Sequence, residues 1–160
     1  MKNFISYFIA FLFLIGVASC GDKYKKVETY SKEVNEAVAK GDFDSAYEII
    51  DEMKKIEPKD KLGNKDYSWV EASWDLNASV VKKEIGELIA SSNGDSNFPR
   101  ILFIIEERAR GDYGDDGKYG LMDYVQKMAL SVNNESLVER AHQYRMDNDS
   151  MYRYNQSQKN

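Results

Sequence analysis

One cysteine, one histidine and two prolines occur among the 160 residues of this chain. A single cysteine excludes an intramolecular disulfide and a cysteine-rich zinc site. A single histidine excludes the paired Glu-x-x-His motifs of a di-iron carboxylate centre, so Glu139-x-x-His142 stays incomplete. Scarce proline and a 42% hydrophobic content argue against disorder along the whole length. Positive charge is in the minority: 22 Lys and Arg stand against 27 Asp and Glu, a net charge of −5. An acidic surface repels phosphate backbones, so nucleic acid is not an expected partner. The length fits one domain, able to bury a modest core without metal or disulfide.

A membrane-spanning run is also lacking. Phe4 to Val17 is mostly apolar, about fourteen residues where a spanning helix needs about 20. Lys2 precedes the run, and Asp22, Lys23, Lys25 and Lys26 follow it. That is the layout of a signal peptide, whether ordinary and secretory, retained as an N-terminal helix, or of a third kind. The four residues Val17-Ala18-Ser19-Cys20 resemble the bacterial lipobox, an aliphatic residue and two small ones before cysteine. The resemblance implies a lipoprotein signal peptide over 1–19, cleavage before Cys20, and a covalent lipid on that cysteine. Residues 20–23 then form a tether. Several acyl chains hold a protein stably, at about 0.8 kcal/mol per buried CH₂. In enteric bacteria an aspartate directly after the lipidated cysteine favours the inner membrane. Gly21 stands there instead, which leans the expected location within the bacterial cell envelope towards the outer membrane. With Cys20 taken up, no thiol is left for nucleophilic or redox chemistry.

Everything after Cys20 predicts an all-α fold: one helical domain over 20–160, with about six helices as antiparallel hairpins in a TPR-like or helical-bundle arrangement. Tyr24, Val27, Tyr30, Val34 and Val38 recur at helical spacing, as do Phe43, Ala46, Tyr47, Ile50 and Met53. Between them, Gly41 suits the left-handed end of one helix and Asp42 the cap of the next. The stretch from Gly41 through Ala46, Ile50 and Met53 to Pro58 resembles one tetratricopeptide (TPR) repeat. The resemblance implies a tight glycine turn, a close helix approach at Ala46 and a helix closed by proline. Tyr30 stands where that family often has tryptophan, while Glu33 and Val34 depart from it. No later stretch repeats the pattern well, so a single TPR-like hairpin over 24–56 is expected.

Residues 57–66 are polar and form a linker, and the remaining helices occupy 67–154. Val70, Trp74, Val81, Ile85 and Leu88 stripe a long helix from Tyr67 to about Ser91, widened by Leu76, Val80 and Ile89. Ser96 or Asn97 can cap a fourth helix with Pro99 in its first turn. Ile101 to Ile105 suits a buried strand, but the helix formers that follow favour a buried helix. Gly111 to Gly120 forms a loop, and Leu121, Val125, Met128 and Val132 stripe the fifth helix. Asn133 or Asn134 caps a sixth, with Leu137, Ala141 and Tyr144 facing inward. Residues 155–160 are expected to fray.

Asp112, Asp116, Gly117 and Asp123 stand at the first, fifth, sixth and twelfth positions of a loop that resembles an EF-hand calcium site. Gly114 fills a ligand position and Asp123 replaces the long bidentate glutamate, so glycines and aspartates that simply make turns explain the loop equally. Arg110-Gly111-Asp112 spells an adhesion tripeptide at a turn made of common residues. Trp69 and Trp74 lie about 140° apart on a helix and cannot form one platform. Tyr144, Tyr152 and Tyr154 could form an aromatic contact surface, or pack at helix seams with wet hydroxyls. The carboxylate pairs Glu106–Glu107 and Asp115–Asp116 supply no base, nucleophile and oxyanion donor together. The expected function is therefore non-catalytic. The chain is read as a membrane-held helical module that binds an envelope protein or peptide, the alternative being a small-ligand or calcium protein using the Asp112–Asp123 loop.

Overall fold

Helix follows helix along the chain, joined by turns whose chemistry is local. The computed structural model describes residues 26–56, 58–59, 62–91 and 96–159. The lipobox, Cys20, Tyr24 and residues 92–95 lie outside them. Helix α1 covers described residues 26–39. After it come α2 (Phe43–Lys55), α3 (Tyr67–Ala90), α4 (Phe98–Arg108), α5 (Lys118–Ser131), α6 (Glu135–Asn148) and α7 (Ser150–Ser157). The protein is all-α and built from helical hairpins. Among the described residues the sole β contact is an isolated bridge between Lys59 and Lys65.

Among the described residues seven helices stand where six are expected, because Asp149 divides the last one. Its backbone is extended (φ −102°, ψ 99°), and its side chain accepts the Tyr152 amide to start α7. Residues 155–157 are consequently helical where fraying is expected. The chain divides between Leu76 and Asn77, inside α3, into two compact units.

In the first unit, Gly41 takes the left-handed conformation (φ +73°) and Asp42 caps α2 by accepting the Ser45 amide at 3.1 Å. Hydrogen bonding from Ser45, through its side chain first and then its amide, holds the exposed Asp42 carboxyl below its ordinary range. Val34, Ala46, Tyr47, Ile50 and Met53 are buried. Full burial of side chains the size of Val34, Ile50 and Met53 stabilises by roughly 2 kcal/mol each. Asp66 opens α3, accepting from the Ser68 amide and hydroxyl while its own amide donates to Pro58. Trp69 is buried, packs edge-on against Tyr30 at 5.8 Å and donates to the Met53 carbonyl at 3.0 Å.

In the second unit, Val80, Val81, Ile85, Ile101, Ile104, Ile105, Leu121, Val125 and Leu137 form the core. The stripe along α3 departs from the one hydropathy suggests. Ser73, Asn77 and Glu84 occupy its buried face, while Val70, Trp74 and Leu88 are half-buried. Each of the three polar residues makes at least one side-chain bond, although Asn77 Oδ1 is buried without a hydrogen-bond partner. The Ser73 hydroxyl donates to Val70 O, Asn77 Nδ2 to Arg108 O, and Arg100 donates twice to Glu84. Asn97 precedes α4 but makes no capping bond, its amide donating instead to Leu88 O and Ser91 Oγ. Asn133 ends α5 in the left-handed region (φ 57°), and Asn134 caps α6 through the Leu137 amide.

Candidate functional site

Loop 109–117 is wound on its own backbone. Arg110 N donates to Asp116 O at 2.8 Å, Lys118 N to Gly111 O at 2.9 Å and Tyr119 N to Asp112 O at 3.0 Å. The ring is drawn so tight that a methyl group at Gly120 would land on the Gly114 carbonyl oxygen. This closure presents Tyr113 on the surface, with its ring 5.2 Å from that of Tyr119 and tilted by 60°. Tyr119 in turn donates its hydroxyl to Asn148 O at 2.7 Å, which ties α5 to the end of α6.

Where α7 turns away from α6 at Asp149, an open cleft of about 400 Å³ forms between this loop and α7. Tyr113, Tyr119 and Tyr152 give it aromatic walls, and Asp115, Asp123, Asp149 and Arg145 give it charge. Arg145 lies over the Tyr152 ring at 3.9 Å and donates to Asp123 at 2.7 Å, with Asp149 at 3.7 Å. Tyr152 is held from its other end by His142, whose Nδ1 lies 2.8 Å from the hydroxyl. Burial pushes the Tyr119 phenol up, and the charges of Asp112 and Asp149 add to that shift. For Asp123, burial opposes ionisation, but bonds from Lys127 and Arg145 outweigh it and hold the carboxyl low.

The three aspartates of the calcium-like spacing are engaged differently from one another. Asp116 pairs with Lys82 at 2.8 Å, Asp123 pairs with Lys127 and Arg145, and Asp112 lies exposed. Among the described residues, no group of three or more acidic, histidine or cysteine side chains is placed to hold one ion. The three tyrosines also part company. Tyr144 is half-buried and donates to Glu106 at 2.6 Å, Tyr152 lies beneath Arg145, and Tyr154 is exposed. Burial raises the Tyr144 phenol, reinforced by Glu106. Glu106 itself is held low by bonds from Lys118 and Tyr144.

Sequence reasoning missed Tyr113, Tyr119, Arg145 and Asp149. The available signal was Asp149-Ser150, an N-cap dipeptide inside a helical stretch, which marks a break and hence a cleft. Compared with known protein families, curated proteins and solved structures, the chain matches none of them.

Proposed function

We propose that this chain is a bacterial envelope lipoprotein, fixed by acyl chains on Cys20, whose helical domain is a non-catalytic module for binding another envelope protein or peptide. The observation that carries this reading is an order of features: Lys2, the apolar run Phe4 to Val17, then Val17-Ala18-Ser19-Cys20. The outer membrane is preferred to the inner, because Gly21 rather than aspartate follows the cysteine. The hairpin α1–α2 is taken as TPR-like, a form that offers grooves to helices and extended peptides. Large exposed side chains at Tyr113, Met151 and Tyr154 support a contact role, since such groups are costly to leave in water. A tether adds effective concentration for a partner in the same membrane.

The calcium alternative rests on the spacing of Asp112, Asp116 and Asp123, and two of these carboxylates are already paired with cations of the chain itself.

The experiment has two arms. Cells fed a clickable palmitate analogue should label the wild type and leave Cys20→Ala unlabelled. Crosslinking in living cells should capture one envelope protein with the wild type and much less with Cys20→Ala. Equal labelling of both forms would overturn the lipoprotein reading, and failure to capture a specific protein would overturn the interaction reading.

A further inference from the structure

The cleft between loop 109–117 and α7 repeats one recognition element twice and fills it once. On one side, Arg145 places its guanidinium on the Tyr152 ring at 3.9 Å, with Asp123 and Asp149 beside it. This is a cation on an aromatic face, neutralised by carboxylates. On the other side, the rings of Tyr113 and Tyr119 meet at 5.2 Å, with Asp115 on the same wall. Tyr113 is 59% exposed. Asp115 is exposed and has no ion pair among the described residues. Of the three carboxylates lining the cleft, Asp123 is paired with Lys127 and Arg145, and Asp149 lies beside Arg145, which leaves the negative charge of Asp115 uncompensated.

We infer that the open half of this cleft, walled by Tyr113, Tyr119 and Asp115, receives a lysine or arginine side chain from an extended segment of a partner protein. The inference rests on the interaction-module reading and names the chemistry of its partner. Charge complementarity selects a basic occupant, and the net charge of −5 steers such a partner inward. Met151, 60% exposed at the rim, and Tyr154, one helical turn further along α7, give the segment's backbone and neighbouring side chains an apolar footing.

The test is a ¹⁵N amide titration of the full chain in an uncharged maltoside detergent. The probes are a short glycine-flanked peptide carrying one lysine and one arginine, the same peptide with glutamine at both positions, and tetramethylammonium. Saturable shifts at Tyr113, Gly114, Asp115 and Tyr119 are expected with the basic peptide, and binding about tenfold weaker or worse with the glutamine peptide. Tyr113→Ala and Asp115→Asn should each weaken the basic peptide several-fold while the rest of the spectrum stays in place. Equal binding of the two peptides, shifts confined to other residues, or indifference to both substitutions would overturn the proposal. Tetramethylammonium matching the basic peptide would overturn the peptide occupant in favour of a small quaternary cation. Crosslinking in cells separates this failure from that of the wider reading. A partner still captured by a Tyr113→Ala, Asp115→Asn double variant keeps the module and removes this cleft. A basic peptide bound in the cleft with no partner captured keeps the cleft and removes the tethered module.

Discussion

Trp69 donates its indole N–H to the main-chain carbonyl of Met53 at 3.0 Å, joining the first turn of α3 to the last turn of α2. The same carbonyl also accepts the Ile56 amide at 3.2 Å, so it closes the helix and anchors the tryptophan together. Trp69→Phe keeps most of the packing against Tyr30 and leaves the carbonyl partnered. It should cost about 1–2 kcal/mol, mostly the hydrogen bond. Trp69→Ala removes the buried ring and should cost about 3–5 kcal/mol. Urea unfolding of both variants checks this, and equal losses would mean that the bond carries the whole effect.

Gly120 and Gly41 predict opposite kinds of failure. At Gly120 a Cβ would meet the Gly114 carbonyl oxygen and the Asp115 Cα, so Gly120→Ala must push loop 109–117 off α5. A loss of about 1–3 kcal/mol is expected, together with altered amide shifts at Tyr113 and Tyr119. At Gly41 nothing lies within 4 Å of the added atom, but φ is +73°. Gly41→Ala should therefore cost about 1 kcal/mol through backbone strain alone, with no shift changes beyond the turn.

How much of this was legible in sequence depends on the range of the interaction. The Gly41-Asp42 and Asn133-Asn134 turns could be read because each is settled within four residues by backbone conformation and a capping side chain. Asn97 could not, because its amide is drawn away to Leu88 and Ser91, and no local rule anticipates that competition. The stripe of α3 was misplaced for a similar reason. Hydropathy sends Glu84 and Asn77 outward, and only partners 16 and 31 residues away allow them to be buried. The cleft needs loop 109–117, α5 and the α6–α7 break together, so no single stretch spells it.

Glu84 and Arg100 form an ion pair of the second unit in which the Glu84 side chain is 6% exposed and both guanidinium contacts lie within 3.1 Å. Arg100→Ala would leave that carboxylate without its cation and should cost about 2–4 kcal/mol. Replacing both residues with leucine should recover most of the loss, because the desolvated charge disappears with its partner. A double-mutant cycle measured by denaturant unfolding gives the coupling, and a double variant as unstable as the sum of the singles would contradict this account.

Calcium offers a separate check on the Asp112–Asp123 loop. Binding to the folded state alone raises stability in proportion to the logarithm of ligand excess. With Asp116 on Lys82 and Asp123 on Lys127 and Arg145, millimolar calcium should leave the Tm unchanged. A rise of several degrees, abolished by Asp112→Asn, would mean that the ion displaces these lysines and re-forms the loop around itself.

Glu106 links stability to pH in a direction that can be worked out. Bonds from Lys118 and Tyr144 hold its carboxyl below the usual range, with burial opposing them. A carboxyl whose folded value lies below its unfolded one stabilises the fold fully above the unfolded value, about 4.3. That contribution is lost as pH falls through the folded value. Lys118 is displaced upward by its bond to Glu106, so its share is present below about 10.4 and is lost as pH rises through its folded value. The pair therefore stabilises on a plateau between these limits and fades at both ends. Asp123, also held low, makes the wild type itself lose stability in acid, so the informative quantity is the difference from Glu106→Gln. The gap in urea midpoint between wild type and Glu106→Gln should be constant near neutral pH and shrink as pH drops below about 4.3. A gap that stays the same throughout the acid range would show that the Tyr144–Glu106–Lys118 cluster acts through its shape and not through the carboxylate charge.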